Sequence, residues 1–546
     1  MMGKQRSNQA KLFYYDISLE QRIPANHLLR QINEVIDFNF VYDEVQDCYG
    51  VKGNVSVPPP VIVKLMLLLF LYNVRSEREL VDSLAYRLDW LWFCNYDFDS
   101  DIPNHSVLSK ARARWGLDVF ETLFAQVVAQ CVQTGLVNGR KIHMDGSLVD
   151  ANASNNSVIK GSEKLVEQLK QQLQSEMTKL DEPLDADSES QNSEDPSGTK
   201  KYYKPKNKGM VSTTDPDAAI VRKGPHGPRA RYKTHRVVDD QCGIITATET
   251  TSGNVEENAK LIDLVDQHEK NTYVNVETVV ADNQYGTADN FRQCHQRGLC
   301  SHMGDMLGPQ LRKGRREGIF SYDDFTYHPD SDTYTCPAGQ TLTRRKHKKT
   351  RQAYEYACRG SICRDCQRRT ECTRAQGGIA RTIKRHYNQE AIDIARQQSH
   401  SPSAKRDRIR RKWLMEGSFG DAALRHGFKH SRWRGLWRQR IQDYLIATVQ
   451  NLRKLVHHMH TVPRQIASRQ TLYGRLIRYN CLLGCDQSNS SGYYLIHDVG
   501  IISNRNDIKN KNGGSVMALG NSPLRENSVI GLRLNHVFWP SLIPHS

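Results

Sequence analysis

No stretch of the 546 residues is long and apolar enough to suggest a membrane span. The longest apolar run, Val61 to Tyr72 (VIVKLMLLLFLY), is interrupted by Lys64 and falls short of the roughly 20 residues that a spanning helix needs. It reads as a buried helix, and no membrane partner is expected. The N-terminus, MMGKQRSNQAKLFYYD, lacks the apolar core of a secretory signal, so the expected compartment is the cytoplasm. Apolar side chains are scarce, with AVILMFWYC making up 38%, and some segments must therefore be unusually polar. Acidic residues are outnumbered: Asp plus Glu total 60 against 76 Lys plus Arg, a net charge of +16. That excess disfavours an acidic small-molecule substrate and favours a polyanion, nucleic acid first. A disulfide framework is also disfavoured. The 13 cysteines are odd in number, and five crowd between Cys336 and Cys372, which suggests metal.

Along the chain, residues 1–138 read as helices separated by Pro stops and Asn or Asp caps. Asp101-Ile102-Pro103-Asn104-His105-Ser106 leads into a helix bearing Lys110, Arg112 and Arg114, which reads as a DNA-contacting face or as a solvated basic face. From Lys141 the texture changes to strands. Residues 157–210 are charged, the second half acidic and Ser-rich, and are expected to be a disordered interruption. Strands resume at Tyr232–Val238 and Ile244–Glu249 as a hairpin, followed by a helix over Asn258–Val265 and a short apolar strand over Val276–Ala281. A basic, cysteine-bearing insertion spans 306–385. A continuous helical pattern follows from Gln389 through Gly427, and another from Arg434 to Leu455. Residues 457–546 give no convincing element and read as an unassigned, poorly ordered tail.

Three carboxylates draw attention. Asp145 ends the strand Ile142-His143-Met144, and Asp282 ends the strand Val276–Ala281. In neighbouring strands of one α/β sheet the two would converge at the edge where ligands bind. Glu416 is an acid among strong bases on a helix. Each has a plain structural reading, as turn former or surface ion pair. Together, on a basic chain, they match the hard oxygen ligands that Mg²⁺ or Mn²⁺ needs for phosphoryl transfer on DNA.

The strings His143-Met144-Asp145-Gly146-Ser147, Ser212-Thr213-Thr214-Asp215-Pro216-Asp217-Ala218, Tyr232-Lys233-Thr234-His235, Ala281-Asp282-Asn283-Gln284-Tyr285-Gly286 and Glu416-Gly417-Ser418-Phe419-Gly420, with Arg434-Gly435 and Asn451-Leu452, carry a resemblance. The chain resembles the DDE transposases of bacterial insertion sequences, within the insertion sequence four superfamily and most like the insertion sequence eleven-eighty-two group, over about residues 10 to 456. The resemblance implies an RNase H-like α/β catalytic core over 139–456 and an N-terminal helical DNA-binding domain over 1–138. It implies Asp145, Asp282 and Glu416 as the metal-binding triad, cleavage at terminal inverted repeats, and strand transfer by the freed 3′-hydroxyl. Double-stranded DNA, both element ends and target, is the implied partner, held by a homodimer or larger complex. Where the superfamily has a Tyr, an Arg and a Lys around the Glu, this chain has Ile409, Lys412 and Ala423. A catalytically weakened DNA-binding repressor, and an RNase H-fold nuclease without strand transfer, stand as alternatives.

Within the insertion, Cys336, Cys363, Cys366 and Cys372 form the best candidate set for a structural Zn²⁺, with Cys358 spared. Reduced thiols in a loop-rich subdomain are the other reading. Arg344, Arg345, Lys346, Lys348 and Lys349 are candidate DNA-backbone contacts, as is Lys412. For the tail, truncation after Gln470 is expected to leave the melting temperature and solubility unchanged, since removing an unpacked segment exposes no apolar surface. A packed hairpin built on Tyr493-Tyr494-Leu495-Ile496 would instead make the truncation destabilising in a thermal melt.

Overall fold

A computed structural model describes residues 18–50, 56–154, 157–161, 165–172, 210–223, 227–304 and 318–461. Short helices fill the N-terminal part: α1 (Leu19–Arg22), α2 (Leu28–Val35), α3 (Phe40–Val45), α4 (Pro59–Leu71), α5 (Glu77–Leu84), α6 (Leu88–Phe93), α7 (Ser106–Trp115) and α8 (Asp118–Gln133). Pro59 opens α4, where a missing N–H costs nothing. The helix is buried nearly all round, as its apolar run requires. Its one cation, Lys64, is buried with its ammonium over the rings of Phe38 and Phe93, 5.3 and 5.0 Å from their centroids. No helix among the described residues is long and apolar enough to cross a membrane.

The strands then build a mixed sheet: β1 (Lys141–Asp150), a flanking pair β2 (Val158–Lys160) and β3 (Met210–Ser212), β4 (Ala219–Val221), β5 (Arg229–Asp239) and β6 (Ile245–Ser252). After helix α9 (Leu261–Thr272) comes β7 (Thr278–Val280), then α10 (Ala288–Gln296) and β8 (Cys300–Ser301). The order across the sheet is β6-β5-β1-β7-β8, with β4 also pairing with β5. β5 runs antiparallel to β1, while β7 and β8 run parallel. Strand β1 is thus central and buried on both faces at Ile142, His143 and Met144.

The insertion forms a separate five-stranded antiparallel sheet: β9 (Thr326–His328), β10 (Thr333–Thr335), β11 (Thr341–Lys348), β12 (Ala353–Ala357) and, after short helices α11 (Gly360–Arg364) and α12 (Arg369–Cys372), β13 (Thr382–His386). Three helices follow: α13 (Gln389–His400), α14 (Pro402–His426) and α15 (Leu436–Thr461).

Two sequence expectations need correcting. The continuous helical pattern from Gln389 to Gly427 is two helices. Pro402 lacks the N–H that continuation requires, and Ser401 caps the second helix by accepting the N–H of Ala404 at 3.1 Å. Nor is 157–210 wholly without structure, because β2 pairs with β3 and residues 165–172 are helical. Residues 173–209 and the 462–546 tail lie outside the described residues.

One apolar core joins the N-terminal helices to the sheet, running from Leu19 through α4 and α8 to Val149, Tyr232, Ile245 and the buried side of α15. Helix α15 is the shared wall, packing on α4, α8 and β6. Its Asn451 is fully buried and brackets Ile245, accepting from its N–H at 2.9 Å and donating to its carbonyl at 2.7 Å.

The Asp215-Pro216-Asp217 string holds the start of α15. Asp217 Oδ2 accepts the N–H of Leu436 at 3.0 Å, a helix-start contact favoured by the dipole. Asp215 is fully buried, and its Oδ1 accepts from the Tyr232 hydroxyl at 2.5 Å and the Gly435 N–H at 3.3 Å. Its Oδ2 has no partner. Burial pushes the Asp215 carboxyl up to about 6, against a Tyr232 hydrogen bond that favours the charged form. A folded-state pKa raised above the unfolded one stabilises at low pH, and that stability is lost as pH rises through the folded value. The protein is therefore expected to lose stability relative to Asp215→Asn between about pH 4 and pH 7, by on the order of 3 kcal/mol. Parallel melting curves across that range check this, and a pH-independent difference would contradict it.

Candidate active site

The parallel pairing of β1 with β7 sets Ile142 opposite Val279 and His143 opposite Val280. Two residues further along each chain, that register brings Asp145 level with Asp282. Asp145 remains within β1, its Oδ1 accepting the N–H of Gly146 at 2.8 Å. Asp282 has left β7, and its Oδ1 accepts the N–H of Gln284 at 2.8 Å, a local turn that anchors the carboxylate.

A third carboxylate arrives from elsewhere in the chain. Glu257 opens a 3₁₀ turn, Glu257–Lys260, ahead of α9. Ligand oxygens of Asp145, Glu257 and Asp282 all lie within 4.8 Å of one another, and all three residues are half-buried. Gly146 permits this approach, because a Cβ there would sit 2.8 Å from both Cγ and Cδ of Glu257. Like charges at that spacing repel. Asp282 is raised from the ordinary carboxylate range by burial first and by the charge of Asp145. Glu257 is raised by burial first, with Asp145 and Asp282 adding to the effect and Lys233 opposing it.

Two cations face the group. Arg411 of α14 donates from Nη1 to Asp145 Oδ2 at 2.7 Å, and Lys233 of β5 lies 3.6 Å from Glu257 Oε1. Tyr285 is fully buried, and its hydroxyl has no hydrogen-bond partner among the described residues. Burial holds its pKa well above the ordinary value, and the three carboxylates add to that. Clustered, repelling carboxylates beside an orphaned hydroxyl are a hard oxygen donor set, suited to Mg²⁺ or Mn²⁺.

Of the sequence-derived triad, the structure brings Asp145 and Asp282 together and leaves Glu416 outside the group. Helix α14 does lie against β1 and β7, but its inward face carries Ala404, Asp407, Arg411, Met415, Ser418 and Ala422. Asp407 accepts from Lys141 at 3.2 Å and pairs with His302 at 2.7 Å, which fixes the helix's rotation. Five residues beyond Arg411, Glu416 is turned by about 140° at 3.6 residues per turn and is exposed. Glu257 escaped the sequence reading because it lies in a polar turn and not at a strand end. The Gly following Asp145 was the one local hint of a close neighbour.

The basic helix face also needs correcting. Residues two apart on a helix point in different directions, so Lys110, Arg112 and Arg114 cannot form one stripe. Arg112 is buried, ion-paired with Glu77 and stacked over Trp433 at 3.9 Å. Lys110 is half-buried, and Arg114 is exposed beside Tyr49. In the insertion, Arg344, Arg345, Lys346, Lys348 and Lys349 are all exposed along and just beyond β11. Arg344 pairs with Asp332 at 3.1 Å. Lys412 is exposed on α14. The four candidate zinc-ligating cysteines lie in the insertion and line one cavity there.

Comparison with known families gives two matches. Residues 17–114 match a transposase domain (DUF772), and residues 335–456 match a transposase DDE domain. No curated protein matches the chain. The two matches support a DDE-type transposase. The second match begins after Asp145, Glu257 and Asp282 and includes Glu416.

Gly146→Ala is expected to push Glu257 away from Asp145 and weaken Mn²⁺ binding by about tenfold or more. The melting temperature should stay close to the parent's, because Gly146 is not in the left-handed region. Calorimetric Mn²⁺ titration with a parallel thermal melt checks both, and unchanged Mn²⁺ affinity would contradict the geometry.

Proposed function

We propose that this protein is a DDE transposase that cuts DNA at the terminal inverted repeats of its element and joins the freed 3′-hydroxyl to target DNA. The observation that carries the reading is the mutual approach of Asp145 within β1, Asp282 just beyond the adjacent parallel strand β7, and Glu257 in the turn ahead of α9. The strand order β6-β5-β1-β7-β8, with β5 antiparallel, supports an RNase H-like core. The three carboxylates would hold divalent cations, Mg²⁺ or Mn²⁺, which when bound activate the attacking oxygen and stabilise the leaving oxygen of a phosphodiester. Arg411 holds the Asp145 carboxylate in place, and Lys233 does the same for Glu257. The exposed cations of β11, with Lys412 and Arg114, would hold the DNA backbone. Two DNA ends require two active sites, so a dimer or larger complex on DNA is part of the proposal, within the cytoplasm of a bacterial cell.

The family resemblance offers a rival third ligand, Glu416, on the helix that presents Arg411. The geometry favours Glu257. A repressor without catalysis and a nuclease without joining are not favoured, since both matched families are transposases.

Cleavage and joining of a donor plasmid in Mg²⁺ tests the proposal. Asp145→Asn, Asp282→Asn and Glu257→Gln should each abolish cleavage while binding to end DNA persists. Glu416→Gln should retain Mn²⁺ affinity and cleavage. Loss of cleavage in Glu416→Gln with retention in Glu257→Gln would move the third ligand to α14. Cleavage without joining in the parent protein would reduce the enzyme to a nuclease.

A further inference from the structure

Among the described residues, the insertion has a small apolar core of its own. Its apolar cluster consists of Phe325, Tyr334, Leu342, Tyr356, Cys358 and Ile383, with a few half-buried neighbours. A segment of this size ordinarily needs a disulfide or a metal to hold it. Cys336, Cys358, Cys363, Cys366 and Cys372 all line one cavity of about 40 Å³ at the end of this cluster. All five thiols are free.

The local backbone is shaped around sulfur. Cys336-Pro337-Ala338-Gly339-Gln340 folds into a tight turn in which Gly339 N–H donates to the Cys336 carbonyl at 2.8 Å and Cys336 N–H to the Gln340 carbonyl at 2.9 Å. Gly339 takes the left-handed conformation that the turn needs, at φ 73°. The Gln340 N–H then donates to Cys336 Sγ at 3.3 Å. An N–H aimed at sulfur is a donor that a thiolate accepts more strongly than a thiol.

On the facing side, Cys363 lies in α11, Cys366 in the turn after it, and Cys372 at the end of α12. Arg368, Arg369 and Arg381 border the same space. Arg369 Nη1 donates to the Cys363 carbonyl and Arg381 Nη1 to the Cys372 carbonyl, each at 2.9 Å. Arg368 is paired with Glu371 at 2.9 Å, which leaves Arg369 and Arg381 as the cations beside the thiols, suited to offsetting thiolate charge.

We propose that Cys336, Cys363, Cys366 and Cys372 bind one structural Zn²⁺ that pins α11 and α12 to the Cys336 turn, with Cys358 packed behind Cys363. Soft thiolates in a tetrahedral set select zinc over the hard cations suited to the carboxylate site. Among the described residues only the acidic group has three ligand atoms within 4.8 Å of one another. Closing four Zn–S bonds of about 2.3 Å therefore draws the thiols inward, and the four protons they lose pass to solvent.

The experiment measures metal content, so it stands apart from transposition. Full-length protein, purified reduced and without chelator, is analysed by elemental mass spectrometry. One zinc per chain is expected. Replacing zinc with Co²⁺ should produce a near-ultraviolet thiolate-to-cobalt charge-transfer band. Cys363→Ser and Cys372→Ser should lose the zinc, while Cys358→Ser and the Asp145→Asn, Asp282→Asn double variant should keep it. Reduced parent protein with neither zinc nor a cobalt band overturns the proposal, whether or not the serine variants fold. Zinc retained in a Cys363→Ser, Cys372→Ser double variant, or lost from the Asp145→Asn, Asp282→Asn double variant, would also overturn it.

Discussion

The parallel register of β1 against β7 is the constraint on which the site depends. Sliding one strand by a residue would turn every side chain to the opposite face, separating Asp145 from Asp282 and exposing Ile142 and Met144. The burial of β1 on both faces therefore fixes the spacing of the two acids. Gly146 then admits Glu257, and Asp407 with Arg411 clamps α14 across the same strand ends. The repulsion among three half-buried carboxylates is held in place by apolar packing that has nothing to gain from it.

That packing extends well beyond the sheet. Arg236 is fully buried beneath α15, with Nη1 donating to Gln450 Oε1 at 3.0 Å and its guanidinium beside the adjacent rings of Phe419 and Phe428. Asp443 accepts from the hydroxyls of Thr234 and Thr250. These pairs tie α15 to β5 and β6, while the other side of α15 meets α4 and α8. The N-terminal helices and the sheet thus share one wall. Removing residues 1–138 would uncover apolar surface on α15, so such a deletion would disturb the rest of the fold and could not by itself test the proposed DNA recognition.

The legible parts of the sequence were those whose signals are local. The start of β1, the hairpin of β5 and β6, and Asp282 just past an apolar strand each declare themselves within a few residues, whereas Asp145, read as a strand end, lies inside β1, which runs on to Asp150. The run from Val61 to Tyr72 did so too, and its lone Lys64 found aromatic faces. What escaped depended on distant partners. Arg112 looks like a surface cation until Glu77 and Trp433 close over it. The rotation of α14 was obscured because Ile409, Trp413 and Leu424 are exposed at 60%, 79% and 79%, so the apolar residues do not mark the buried side. Polar Asp407 and Arg411 mark it instead, through partners on β1 and near β8.

Charge balance explains why Arg411 and a metal can share Asp145. An ionised carboxylate offers about four lone-pair positions, of which Asp145 commits one to Gly146 and one to Arg411. Coordination directions remain open toward Glu257 and Asp282. Arg411 and Lys233 face the three carboxylates, and Asp282 and Glu257 are raised by burial first and by the charge of their neighbouring carboxylates. Under the proposed function, a divalent ion bound among these carboxylates would reverse the local sign and favour the approach of a phosphodiester. In that reading, the repulsion among the carboxylates and the attraction for a phosphodiester would both follow from the same arrangement of side chains.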